Sequence, residues 1–425
     1  MKPLFTLALL MLSLSLSAQQ TYIYCGNLVD VEKGKVVSER TIIVEDDLIK
    51  DIKNGFVEVP EGSELIDLRN STVLPGLFDM HVHLESETSK NNYIKPFTLN
   101  EADVAYEAQV HAKTTLMAGF TSVRDLGGTG VNTSLRNAIN KGLVMGPTVY
   151  SAGKSIATTG GHADPTNGYK ADLMGHPGPD QGVINGTAEA REAVRQRYKN
   201  GADVIKITAT GGVLSVAKSR QNPQFFEDEL RAIVETANDY GMITAAHAHG
   251  DEGMQRAVKA GIKTIEHGTL MSEETMELMK EYDAYLVPTI TAGKSVAEMA
   301  EIEGYYPELV VPKAKAIGPQ IQGTFEKAYK KGVNILFGTD AGVFKHGLNA
   351  KEFGYMVEVG MPPMEAIQSA TLVPAKLLKV DDLYGSLSKG KKADIIAVEN
   401  NPIKEILTLE NVIFVMKHGK VVKQY

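Results

Sequence analysis

The chain has 425 residues, 43% of them hydrophobic and 23% charged, a balance typical of soluble globular proteins. That length exceeds one small core, so a large domain with a smaller companion is expected. A formal charge of −8, without a basic stripe or basic-aromatic interleaving, argues against nucleic acid as the main partner.

The chain begins with a positive Lys2, an apolar run from Leu4 to Leu16 and the small pair Ser17-Ala18. This reads as a signal peptide over residues 1–18, too short and too poorly flanked for a membrane span. Export to the periplasm or outside the cell is therefore expected, with no membrane association in the mature form. Lone Cys25 cannot form an internal disulfide and reads as a packed strand residue. Residues 19–72 give short alternating segments separated by turns, and residues 380–425 do the same. Together they predict a small β-sandwich domain built from both termini.

Residues 73–379 alternate strand and helix. Candidate strands are 73–83, 119–125, 147–152, 203–210, 242–248, 262–267, 284–290 and 333–339. Helical patterns fall at 101–118, 227–240, 251–260 and 312–331. Eight strands alternating with helices predict an α/β fold, a (β/α)₈ TIM-type barrel. A doubly wound open sheet is the competitor. It fits less well, because polar residues sit at the ends of several different strands, where a barrel builds its catalytic face. No Gly-x-Gly-x-x-Gly follows a strand to suggest a dinucleotide. Polar residues 84–98 and Gly/Pro-rich residues 158–186, which carry His162, Asp164, His176 and Asp180, read as loops over that face.

Strand ends carry the chemistry. Val73-Leu-Pro-Gly-Leu-Phe-Asp-Met-His-Val-His83 is a buried strand whose period of two puts His81 and His83 on one side, able to grip one divalent cation. Lys206 sits inside Val204-Ile-Lys-Ile-Thr208, where an unpaired ammonium is costly. It could pair with a carboxylate, act as a Schiff-base amine, or be carbamylated to a metal-bridging anion, N6-carboxylysine. The neighbouring histidines favour the carbamate. His247, with His249 two residues on, His267 and Asp340 end three further strands. Each alone could be structural; ligand-type residues at five strand ends are hard to explain by packing.

This constellation resembles the amidohydrolase superfamily over nearly the whole mature chain. Further matching stretches are Thr121-Ser-Val-Arg-Asp-Leu-Gly-Gly, Lys206-Ile-Thr-Ala-Thr-Gly-Gly-Val, His247-Ala-His-Gly, Ile265-Glu-His-Gly, Gly338-Thr-Asp-Ala-Gly and Gly385-Ser-Leu-Ser-Lys-Gly-Lys-Lys-Ala-Asp-Ile. The resemblance implies two divalent metal ions, zinc in the first instance. His81, His83 and Asp340 would hold one, His247 and His267 the other, with carbamylated Lys206 between them. A shared water of lowered pKa would attack an amide carbonyl, and Asp340 would shuttle its proton to the leaving amine.

Within the superfamily, Thr158-Thr-Gly-Gly-His162, Ala209-Thr-Gly-Gly-Val and Met361-Pro-Pro-Met-Glu-Ala-Ile-Gln-Ser-Ala-Thr are most similar to the Xaa-Pro dipeptidase-like, imidazolonepropionase-related branch. The implied activity is dipeptidase or carboxypeptidase-type hydrolysis of small substrates: Xaa-Pro or related dipeptides, or N-acyl amino acids. His162 is the candidate contact for the substrate carboxylate. His249 stands where relatives often carry Tyr, and Arg124 is either a further charge-matched donor or the internal ion-pair partner of Asp125 or of a carboxylate elsewhere. The alternatives are a cyclic-amide hydrolase or deaminase on the same fold, and an exported binding protein without catalysis. Lys206 and Gly250, three residues after His247, count against deamination. A homo-oligomer stays open.

Overall fold

The computed structural model of the protein describes residues 20–215 and 219–424. The expected export signal lies outside the described residues. The chain opens with β1 (Gln20–Asp30), β2 (Lys35–Glu45), β3 (Leu48–Asn54) and β4 (Glu64–Pro75). Barrel strands β5 (Leu77–Val82), β6 (Phe120–Asp125) and β7 (Thr148–Ser151) follow. A side pair, β8 (Ala157–Thr158) and β9 (Val183–Ile184), precedes β10 (Val204–Thr208), β11 (Ile243–Ala248), β12 (Thr264–His267), β13 (Tyr285–Val287) and β14 (Asn334–Ile335). The chain ends in β15 (Ile395–Val398), β16 (Val412–Lys417) and β17 (Lys420–Gln424).

Strands β5–β6–β7 and β10–β11–β12–β13–β14 form two parallel ladders. Backbone hydrogen bonds join them at both seams. Met80 N–H donates to Phe337 O and Asp340 N–H to His81 O on one side; Asp203 N–H donates to Ser151 O and Ile156 N–H to Lys206 O on the other. The eight-stranded barrel is thereby closed, with a strand at each of the eight expected places; the first, expected over 73–83, starts only at Leu77, because residues 73–75 end β4 of the terminal sheet. β5, β6 and β10 are buried along their whole length, as parallel strands covered by helices must be.

The terminal strands form one sheet, in order β17-β16-β15-β4-β1-β2-β3. Ile23, Ile42, Ile66, Ile395 and Phe414, from five of those strands, share one apolar core. The start of β3 bonds back to the segment before β15, through Ile49 N–H to Lys391 O and Gly390 N–H to Ile49 O. The sandwich is therefore a single sheet folded over on itself.

One helix departs from expectation. Residues 284–290 read as a single strand, but β13 stops at Val287 and a helix runs Ile290–Met299. Its β-branched residues and Gly293 disguise it. A remote carboxylate starts it: buried Glu352 accepts from Ile290 N–H, Thr291 N–H (both 2.7 Å) and the Thr291 hydroxyl (2.6 Å).

Candidate active site

The carboxyl ends of the barrel strands converge on a cavity of about 200 Å³. His81, His83, Lys206, His247, His267 and Asp340 all line it, with His162 and His249. Ligand atoms of His81, His267 and Asp340 lie within 4.8 Å of one another, as do those of His247, His249 and His267. His249, expected to face substrate, therefore also stands among the ligand-type atoms. Lys206 Nζ is 3.4 Å from His81 Nε2. Burial lowers the Lys206 ammonium to about 8.

Outer contacts fix the imidazoles. His83 Nδ1 is 2.8 Å from Gly127 O; a carbonyl only accepts, so Nδ1 carries the proton and Nε2 points a lone pair inward. His247 Nε2 lies 3.3 Å from Gly211 O, which puts the proton on Nε2 and leaves Nδ1 with the free lone pair. His267 Nδ1 pairs with Thr289 Oγ1 at 2.7 Å and His249 Nδ1 with Thr269 Oγ1 at 2.8 Å. His81 Nδ1 faces Glu266 Oε2 at 2.9 Å. Burial first, then the positive neighbours, lowers His81 to about 4 and His249 to about 3, and His247 and His267 fall well below the usual histidine range. Neutral imidazole is the ligand form.

Asp340 Oδ1 is buried without a hydrogen bond, yet lies 3.4 Å from His81 Nε2 and 3.2 Å from His83 Nε2. Lone pairs face one another across these short gaps. A divalent cation satisfies all three at once, so the donor set fits a metal site of nitrogen and oxygen ligands. Burial would raise Asp340, but His81, His83 and Lys206 outweigh it and hold the carboxyl below its ordinary value. The same pairing raises His83 against the desolvation that opposes it.

Backbone strain gathers here. His267 (φ 69°), Asp340 (φ 62°) and Thr289 (φ 50°) occupy the left-handed region, which for non-glycine residues costs about 1–3 kcal/mol each. The fold meets that cost with buried anchors. Asp79 accepts from His81 N–H and Thr339 N–H, both at 3.1 Å, from the Thr339 hydroxyl at 2.6 Å and from Asn349 at 2.7 Å, locking β5 to the segment that carries Asp340.

Of the two roles open to Arg124, the substrate contact is corrected and the internal pair with a distant carboxylate is found. The side chain does not reach the cavity but lies fully buried beneath it. Its guanidinium bonds Met80 O (2.7 Å), Thr264 Oγ1 (3.1 Å) and Glu266 Oε1 (2.9 Å). Its charge is spent on Glu266, so it steadies the support of His81 rather than meeting a substrate. Burial would raise Glu266, but Arg124, His81 and Lys206 bring it down to about 2. Glu266 was the missed residue. Its signal was the one that marked Lys206, a charge inside an apolar strand.

His162 does reach the cavity. It is tilted against His247, ring centroids 4.3 Å apart, and its buried Nδ1 has no partner. A Cβ at position 212 would strike the His162 ring, so Gly212 is what lets that ring lie where it does. Asp164 tethers the loop's own backbone through Gly160 and Thr166, and His176 lines a separate outer cavity.

The amidohydrolase family model matches residues 72–422. The ochratoxinase of Aspergillus niger is 33% identical over 432 aligned residues, which cover 96% of this chain and 87% of that one. A solved Xaa-Pro dipeptidase with methionine in its active site is 55% identical at a TM-score of 0.92, covering 95% of this chain and 100% of its own. A solved prolidase complexed with N-methylphosphonate-L-proline is 31% identical at a TM-score of 0.86, covering 96% of this chain and 100% of its own.

Proposed function

The chain belongs to the amidohydrolase family, and from that premise we propose that it is a metal-dependent dipeptidase or carboxypeptidase-type enzyme, cleaving Xaa-Pro or related dipeptides or N-acyl amino acids. The observation that carries this reading is His162, a buried imidazole that lines the cavity beside the ligand-type cluster and whose Nδ1 has no partner. Such a group suits a substrate carboxylate, which a dipeptide or N-acyl amino acid presents next to the scissile amide. The relatives that act on prolyl peptides support the same choice.

Two divalent cations, with zinc best matched to so many imidazoles, would be held by His81, His83 and Asp340 and by His247 and His267, with Lys206 as N6-carboxylysine between them; when bound they supply a water of lowered pKa and polarise the amide carbonyl. Asp340 takes the proton of the attacking water at its carboxylate and hands it to the leaving nitrogen, so the amine departs neutral. His162 fixes the substrate's carboxylate. Glu266 and Arg124 hold His81 in one orientation while bonds form and break. The exported location expected from residues 1–18 is part of this proposal.

Product analysis tests it. Zinc-reconstituted protein is given Xaa-Pro dipeptides, N-acyl amino acids, cyclic amides and amino-heterocycles, with free amino acid and ammonia assayed together. Amino acid without ammonia, lost when the substrate carboxylate is amidated, is the expected result. Ammonia, or ring opening with no amino acid freed, overturns the assignment.

A further inference from the structure

The cavity has two unlike halves. One is the polar cluster already described. The other is an apolar wall of Val213, Ala292, Val296, Ile317, Ile321 and Val343. Most of it comes from two packed helices, Ile290–Met299 and Val311–Lys330. Val213, Val296 and Ile317 belong to a small apolar core of their own, backed by Tyr306, Val310 and Ala314. The wall is thus the inner face of a packed unit, not a chance patch on a loop. Gly293 allows the close fit, since a Cβ there would meet Ile321 Cγ2 at 2.7 Å.

Among the described residues lining the cavity, the only carboxylate and the only amine are Asp340 and Lys206, and both sit in the ligand-type cluster. The wall offers nothing to pair with a charged side chain. Burying an ammonium or carboxylate against it without a partner is costly, whereas an aliphatic chain gains by leaving water.

We propose that this wall is the specificity pocket of the enzyme and selects substrates bearing an uncharged apolar side chain. The inference rests on the hydrolase reading above and narrows it. Full burial of a side chain of Leu or Met size corresponds to a preference of about 10- to 150-fold over glycine. Lysine, arginine, aspartate and glutamate at the same position fall at or below the glycine rate.

The test uses the full zinc-loaded protein and matched dipeptides in which one position at a time is Gly, Leu, Met, Phe, Lys or Glu. The expected result is that kcat/KM at one position rises 10- to 150-fold from Gly to Leu or Met, with Lys and Glu rejected. Val296→Asp should erase that rise and lift the Lys substrate above wild type. Val296→Thr, a near-isosteric change, should reduce the preference several-fold and serves if the aspartate variant does not fold. Equal rates for Leu, Lys and Glu at both positions overturn the proposal. If no dipeptide is cleaved, the hydrolase reading fails, and calorimetry on the same protein with free methionine, leucine, lysine and glutamate decides the pocket. Binding of methionine and leucine alone upholds it; equal binding, or none, overturns it.

Discussion

Glu266→Gln probes the support beneath the site with almost no change of shape. Glu266 and Arg124 are both 0% exposed, 2.9 Å apart, and the other Glu266 oxygen is 2.9 Å from His81 Nδ1. The carboxylate, held down to about 2, is ionised throughout the working pH range. Glutamine removes that charge and leaves the guanidinium buried without a counter-ion, a loss of about 3–5 kcal/mol. It also presents an N–H₂ group either to Arg124 or to His81 Nδ1–H, so one donor meets another. Weakening the group that orients a histidine of the proposed metal site should lower zinc affinity about 10- to 100-fold. Urea unfolding of the metal-free protein reads the first effect and zinc competition against a chromophoric chelator the second. Arg124→Met combined with Glu266→Leu removes both charges and should recover much of the stability, because no buried ion is stranded. A Glu266→Gln protein within about 1 kcal/mol of wild type, or with unchanged zinc affinity, refutes this account of the Arg124–Glu266–His81 chain.

Asp340→Asn should lower kcat/KM by about 10²- to 10⁴-fold while zinc remains bound, measured by dipeptide hydrolysis beside metal analysis; full activity with metal present removes Asp340 from proton transfer. Chelation should lower the melting temperature and zinc should restore it, with zinc at a hundred times its Kd adding about 2.7 kcal/mol; scanning calorimetry reads this, and an unmoved transition means that the folded chain holds no ion. Glu352 gives a pH signature. Burial raises its folded pKa from 4.5 to about 8. The folded state thus binds this proton more tightly, so the contribution is complete below 4.5 and is lost as pH rises through about 8. The stability advantage of wild type over Glu352→Gln should therefore shrink between pH 5 and 8, by up to about 1.4 kcal/mol per unit. A constant gap in urea unfolding means that Glu352 is ionised in the fold, its three donors outweighing burial.

What could be read from the sequence was whatever chemistry sits at the end of a local pattern. His81 and His83 announce themselves through strand period. Lys206 does so by being charged inside an apolar run, and Asp340 by following one. Each signal spans a handful of residues, and the barrel then brings the strand ends together. Arg124 stayed open between a substrate contact and an internal ion pair because its partner, Glu266, is 142 residues away and on another strand. The helix Ile290–Met299 was hidden for a similar reason, since the group that starts it is a carboxylate 62 residues downstream. The apolar wall was invisible too: its valines and isoleucines look like any others until two helices pack and leave one face toward the cavity.

The terminal sheet has a consequence for how the chain comes to be folded. β4 lies between β1, its parallel neighbour, and β15, its antiparallel one, so Leu74 pairs with Ile396 across the entire length of the barrel sequence. A chain emerging from the ribosome has β1 through β4 early, with one edge of β4 open until β15 to β17 arrive. That edge is a run of buried-type residues, Thr72 to Pro75, and an unpaired apolar edge invites association with other chains. Synthesis halted after the barrel segment but before β15 therefore leaves a product whose barrel strands are all present yet whose sheet is sticky. The last thirty-odd residues act as the seal on the molecule, and its solubility during synthesis depends on how soon they are released.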